Sequence, residues 1–353
     1  MTTATSGSYW IKSEDWHTGG EPFRIVNKFP PGYETEGQTV GQRRLNIMAQ
    51  PEHPLDVLRR SLCHEPRGHA DMYGGFITPP DDGGALFGVL FWHKDGFSTA
   101  CGHGTIALGY WAVAQGLVQA PQNGEVDVVI DVPSGRVKAR MTIKDHKPVC
   151  AEFIQVLSYQ WAKDLIVTLP SRSLDVKVDL VYSGAIFASV DISQIGLKVE
   201  PKNHDDFIQL GREVKASLGQ RSHHRGYDLY AISFFHEEDE GRDESGIVRQ
   251  RNVVVFADGQ IDRSPCGSGS CARLAVLLSQ GRVSAGRGKL LHRGIVGTAF
   301  EADVISEEPS PVDGFKACIP RVRGHANLVG QMKFFIDPTE TVFPGFIFRY
   351  MSR

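Results

Sequence analysis

The sequence predicts an α/β protein made of two similar, pseudo-symmetric domains that face each other. Three observations predict this: an internal repeat, strand-like segments ahead of each copy, and a length that suits two domains. The repeat aligns "CGHGTIALGYWAVAQGLV", starting at Cys101, with "CGSGSCARLAVLLSQGRV", starting at Cys266, without a gap. Cys101 matches Cys266, Gly102 matches Gly267, Gly104 matches Gly269 and Thr105 matches Ser270. Farther along, Gln115 and Gly116 match Gln280 and Gly281, at a constant offset of 165 residues (266 − 101). Two copies point to a duplicated domain, because stacked solenoid repeats need at least three. The chain has 353 residues, so each half can bury a core of its own.

The elements follow in order. Pro54 opens a helix with Leu55, Leu58 and Leu62 on one face. Residues 85–93 ("ALFGVLFWH") read as a buried strand. Residues 126–132, the turn "PSG" and residues 136–143 read as a β-hairpin. After Gly104, residues Ile106, Tyr110 and Val113 give a 3.6-residue apolar face that Gly116 ends. The second half repeats this order. A helix starts near His204 with Phe207, Leu210 and Val214 on one face, and residues 252–257 ("NVVVFA") form a buried strand. Leu274, Leu277 and Leu278 then form a helix face that Gly281 ends. The acidic run "HEEDEGRDESG" from His236 reads as a solvated loop. Mean domain size places the first lobe at residues 1–160 plus 336–353 and the second at 161–335.

Composition narrows the function. Hydrophobic residues make up 41% and charged residues 22%, the balance of a globular protein. A net charge of −3 gives no electrostatic footprint for nucleic acid or an anionic membrane. The chain lacks an apolar run long enough to span a bilayer, and "MTTATSGSYWIKSEDW" lacks a signal-peptide pattern, so a cytoplasmic location is expected. Six cysteines without a C-x-x-C pair are expected to be reduced thiols and form no zinc ribbon. No nucleotide fingerprint is present either, because "CGSGSC" and "GGALFG" lack the G-x-G-x-x-G spacing.

Each repeat therefore sets a cysteine at a helix N-terminus. Such a position offers unpaired N–H groups and the positive end of the helix dipole. It is expected to pull a thiol pKa from about 8.5 towards neutrality. The same N–H groups can hold a carboxylate, and glycines let that ligand approach the backbone closely. Two such ends brought together would grip one carboxylate and leave a sulfur on each face of the carbon beside it. That is the layout of a two-base racemase or epimerase, in which one thiolate takes the α-proton and the opposite thiol supplies another. One cysteine before a helix is ordinarily a packed small hydrophobe. Two at equivalent repeat positions, both followed by Gly-x-Gly, favour chemistry. Cys63, Cys150, Cys271 and Cys318 lack that context and read as structural.

At these residues the chain resembles the proline racemase family. The shared motifs are "HTGGEP" (residues 17–22), "EPRGHADMYGG" (65–75), "ACGHGTIALG", "DRSPCGSGS", "GTAF" (297–300) and the closing "GFIF". The resemblance implies a fold similar to diaminopimelate epimerase, each domain a β-sheet wrapped around a central helix. It also implies a homodimer that uses no cofactor and acts on proline or hydroxyproline. By that likeness Cys101 and Cys266 are the catalytic pair. Gly102, His103, Gly267 and Ser268 bind the substrate carboxylate, and Asp262 holds its amine. Read from the residues alone, His103 could equally be a packed histidine and Asp262 a turn residue. A turn role explains His17 and Glu21 as well as catalysis does, and "EPRGH" reads as shaping the pocket wall. Ala100 stands where many relatives carry methionine, and Cys271 where most carry a small non-thiol residue.

Family members include racemases, 2-epimerases and trans-3-hydroxy-L-proline dehydratases, the last typically with threonine at the second cysteine. Cys266 therefore favours racemisation or epimerisation, with dehydration as the alternative. From other classes, a non-catalytic binder of cyclic amino acids and a thiol redox protein would use the same residues differently.

Overall fold

The computed structural model describes residues 7–238 and 246–348. Nine strands lie in each half of the described chain. The first half holds β1 (Tyr9–Thr18), β2 (Glu21–Val26), β3 (Tyr73–Thr78), β4 (Phe87–His93) and β5 (Gly96–Phe97), then β6 (Asn123–Val132), β7 (Gly135–Lys144), β8 (Lys147–Ile154) and β9 (Ser158–Leu169). The second holds β10 (Leu174–Ser183), β11 (Ile186–Asp191), β12 (Leu229–Glu237), β13 (Ile247–Phe256) and β14 (Gln260–Asp262), then β15 (Lys289–Arg293), β16 (Ala299–Glu308), β17 (Ala317–Gly324) and β18 (Ala326–Ile336). Five α-helices join them: α1 (Val40–Ala49), α2 (Pro54–Cys63), α3 (Gly102–Ala114), α4 (His204–Leu218) and α5 (Gly267–Ser279).

The duplication reaches well beyond the cysteine motif. Strand β10 starts 165 residues after β1 (174 − 9), the same offset that separates the cysteines, and the two share one sequence of buried and exposed positions. Helix α3 packs on β1, β2, β6, β7, β8 and β18, and α5 packs on β9, β10, β11, β15, β16 and β17. Each helix is thus the axle of a curled sheet. The ninth strand of each half serves the other lobe: β9 pairs with β10, and β18 pairs antiparallel with β1 along its whole length. We propose that the chain leaves the first lobe near Gln155 and returns near His325. That return is earlier than residue 336, because β18 already covers α3.

Local chemistry explains most of these elements. The expected hairpin forms as β6 and β7, with Val132 opposite Gly135, and Gly135 takes φ +130 to close the turn. Of residues 85–93, Phe87–His93 form β4, buried along its length, while Ala85 and Leu86 precede the strand. Residues 252–257 form the inner end of β13. Helix α2 starts with Pro54 at its first position and the His53 ring capping the Leu55 N–H. Helix α1 was absent from the sequence reading. Thr39 and Gln42 form a capping box there, a signal that "TVGQ" carries.

Two expectations change. Helix α3 is buried on every side from Gly102 to Ala112, so the single apolar stripe is too narrow a description of a central helix. The acidic run is only partly testable. His236 and Glu237 end β12, Glu237 pairs with Arg282, and Glu238 pairs with Arg251 and Arg293, so its start is strand and not loop. Residues 239–245 lie outside the described residues.

Candidate active site

The duplicated motif caps both central helices alike. Cys101 is the N-cap of α3, where its Sγ accepts the Gly104 N–H at 3.2 Å. Cys266 is the N-cap of α5, where its Sγ accepts the Gly269 N–H at 3.3 Å. The sulfurs thus occupy the place a serine or aspartate oxygen usually takes. One difference breaks the symmetry. Cys101 has extended backbone (φ −155), whereas Cys266 sits at φ +61. A non-glycine residue there costs about 1–3 kcal/mol, a strain that accumulates at functional sites.

The two helix ends abut. A Cβ on Gly102 would lie 2.6 Å from Gly267 Cα and 2.8 Å from Ser268 N, and one on Gly267 would lie 2.8 Å from Gly102 Cα. Glycine is required at both positions because backbone meets backbone, and two positive dipole ends converge on one spot. Cys101 and Cys266 line one inner cavity with Ala100, Gly102, His103, Asp262 and Ser268. Tyr73, Phe187, Tyr230, Val254 and Phe256 complete its wall. Six of the seven residues singled out from the sequence therefore line it, and the seventh, Gly267, lies at the helix contact against Gly102. The cavity measures about 20 Å³, room for roughly one water.

Burial sets the electrostatics, and it overturns one expectation. Both thiols have pKa values well above that of an ordinary cysteine, not near neutrality. Loss of water is the largest cause at each. At Cys266 the Asp262 charge adds to it, and the Gly104 and Gly269 N–H groups only partly offset the rise. The helix dipole acts, but in this buried cleft desolvation exceeds it.

Asp262 is 3% exposed and ends β14. Its Oδ1 accepts from the Ser264 N–H at 2.8 Å and the Ser264 hydroxyl at 2.7 Å. Burial raises its pKa to about 6 despite those bonds. His103 is neutral, lowered to about 3 by burial, while a bond to the Pro22 backbone favours its charged form. Its Nδ1 lies 3.4 Å from Cys101 Sγ.

The flanking motifs clasp the lobes. Thr298 Oγ1 of "GTAF" donates to the Gly19 carbonyl of "HTGG" at 2.8 Å. Glu21 is fully buried and accepts the Arg263 N–H at 2.8 Å, while the Arg263 guanidinium pairs with Asp71 at 2.8 Å. The sequence leaves Glu21 open between a turn role and catalysis and reads "EPRGH" as pocket wall. Here Glu21 and Asp71 anchor the residue next to Asp262. Sequence reasoning also missed Tyr73 and Tyr230 in the cavity wall; their signal was present only as aromatic residues among many. Among the described residues, no group of three or more His, Cys, Asp and Glu side chains is placed to hold a metal ion. Among the described residues no helix is long and apolar enough to cross a membrane.

The proline racemase family model matches residues 14–347, almost the whole described chain. The chain belongs to the proline racemase family. Among relatives in this family, a trans-3-hydroxy-L-proline dehydratase of Bacillus thuringiensis is 35% identical, over 94% of this chain and 96% of that protein. A 3-hydroxyproline 2-epimerase of Burkholderia multivorans is 38% identical, over 96% of this chain and 98% of that protein. The solved structure of a hydroxyproline epimerase from Agrobacterium vitis, with bound trans-4-hydroxy-L-proline, superposes with a TM-score of 0.85. It is 25% identical and covers 96% of this chain and 95% of its own. The family and its fold agree with the resemblance seen in the motifs.

Proposed function

We propose that this chain is a cofactor-independent racemase or 2-epimerase of proline or hydroxyproline, with Cys101 and Cys266 as the two bases. The observation that supports this most is the meeting of two cysteine-capped helix ends in one closed cavity beside Asp262. The substrate carboxylate would lie on the N–H groups of Gly102, His103, Gly267 and Ser268. Charge that develops on it as the Cα proton leaves is met there by two dipoles. The ammonium would pair with Asp262. That pairing neutralises the very charge that raises the Cys266 pKa, so substrate binding itself eases thiolate formation. One thiolate takes the Cα proton, the carbanion inverts, and the opposite thiol delivers its proton to the other face. Cytoplasmic location and a homodimer are part of this proposal.

A second reading is dehydration of trans-3-hydroxy-L-proline. One thiolate removes the Cα proton, the C3 hydroxyl leaves with a proton as water, and the resulting enamine tautomerises to a cyclic imine. The Bacillus relative and the "EPRGHADMYGG" motif favour keeping it.

The experiment is incubation with L-proline, trans-4-hydroxy-L-proline and trans-3-hydroxy-L-proline in heavy water. Inversion with deuterium at Cα, read by chiral chromatography and mass spectrometry, is the expected result. A cyclic imine trapped with o-aminobenzaldehyde would select the second reading. Binding of these ligands without deuterium at Cα would mark a non-catalytic binder and overturn both.

A further inference from the structure

The inner cavity divides by chemistry. The paired helix ends offer N–H groups, Asp262 offers a carboxylate, and the remaining wall is Ala100, Tyr73, Phe187, Tyr230, Val254 and Phe256. Within that remaining wall the only side-chain heteroatoms are the two phenol oxygens. They are joined to a third hydroxyl: Tyr73 Oη bonds Ser98 Oγ and lies 3.2 Å from Tyr230 Oη. Tyr73 and Ser98 are buried, at 2% and 3% exposure.

Three hydroxyls carry three hydrogens, and the two bonds among them use two. One O–H is left to donate, and several lone pairs are left to accept. Burial raises both phenol pKa values well above the ordinary tyrosine value, so both remain protonated donors at neutral pH. Tyr73 and Tyr230 line the same cavity as the Cys101 thiol. A group in reach of the sulfur that works at Cα is also in reach of a substituent on the next ring carbon.

We infer that the Tyr73 and Tyr230 hydroxyls, with Ser98 bonded to Tyr73 and positioning it, form a recognition site for the C3 hydroxyl of a 3-hydroxylated proline. This rests on the proposed reading of the cavity as a proline-type site and goes beyond it by choosing the substrate class. A plain proline leaves the surplus donor without a partner, whereas a C3 hydroxyl both accepts from the cluster and donates to it. Sites built to bond a substrate hydroxyl discriminate more sharply than apolar ones. If the reaction is dehydration, the same O–H is placed to protonate the departing hydroxyl as water, and the tyrosinate that remains would be reprotonated from the Cys101 thiol that has just received the Cα proton.

The test is the ratio of kcat/KM for trans-3-hydroxy-L-proline to kcat/KM for L-proline, in wild type and in Tyr73→Phe, Tyr230→Phe and Ser98→Ala. Wild type is expected to favour the 3-hydroxylated substrate, and both phenylalanine variants to lower the ratio by about tenfold or more. Ser98→Ala removes a single small hydroxyl, is expected to fold, and should lower the ratio by a few-fold. Wild-type preference for L-proline or trans-4-hydroxy-L-proline overturns the inference alone. So does a ratio within twofold of wild type in every folded variant. Absence of turnover with all three substrates overturns the proposed function, and this inference with it.

Discussion

Cys101 and Cys266 look equivalent in sequence, but their surroundings differ. Only Cys266 carries positive φ, and the Asp262 charge outweighs the helix N–H bond at Cys266, whereas at Cys101 the N–H bond outweighs that charge. The two are therefore expected to separate by reaction. Cys101→Ser should lower every activity by at least about 10³-fold, since a serine hydroxyl is a poor base at neutral pH. Cys266→Ser should abolish inversion to the same extent and leave part of any dehydration. Equal loss of measured dehydration in both would count against a one-base elimination. Asp262 gives a second prediction. Its folded pKa, about 6, lies above the unfolded value, so the folded state binds its proton more tightly. That stabilisation is complete below about pH 4 and is lost as pH rises through 6. At pH 7.5 the buried carboxylate then costs about 3 kcal/mol relative to acid conditions. Asp262→Asn should accordingly melt higher than wild type at pH 7.5, and the difference should vanish near pH 4. Its activity should be lost at every pH, while wild-type kcat/KM falls as pH drops below 6. A melting difference that does not depend on pH would refute this account.

At the scale of elements, the contact between α3 and α5 is the weakest place to alter. Gly102→Ala would push a methyl to 2.6 Å from Gly267 Cα, where neither helix end can yield without moving its axle. Overpacking of this kind costs about 1–3 kcal/mol. The expected outcome is a lower melting temperature together with loss of catalysis, because the carboxylate cradle is spread apart. Ala at Gly116, where nothing lies within 4 Å, meets only the cost of positive φ and should leave catalysis intact. Similar loss of activity in both variants, measured on folded protein, would argue against the cradle.

At the scale of the whole molecule, the proposed reaction requires the lobes to part. A cavity of about 20 Å³ cannot take a proline, which is several times larger than a water. The lobes are held over it by Thr298 to Gly19, Glu21 to Arg263 and Asp71 to Arg263. Opening would break these bonds and let water reach both thiols, lowering their pKa so that a thiolate forms before closure. Amide hydrogen exchange at residues 18–22 and 262–266 is therefore expected to slow on addition of saturating substrate. Thr298→Val, which removes one clasp bond worth up to about 1 kcal/mol, should raise KM a few-fold. Exchange unchanged by substrate in both segments would exclude lobe opening.

Much of this was legible in the linear chain. The constant offset between "CGHGT" and "CGSGS" reveals the duplication, the glycines mark the helix ends, and alternation gives the β6–β7 hairpin. These signals are local, written in neighbouring residues by backbone geometry and period. Three features were decided only by tertiary structure. The exchange of β9 and β18 between lobes depends on pairings that no local pattern encodes. The thiol pKa values rise because the lobes exclude water, a property of closure that the helix N-terminus alone does not carry. And the hydroxyls of Tyr73, Ser98 and Tyr230 lie far apart in the chain but adjacent in space, so their joint chemistry exists only after folding has brought them together.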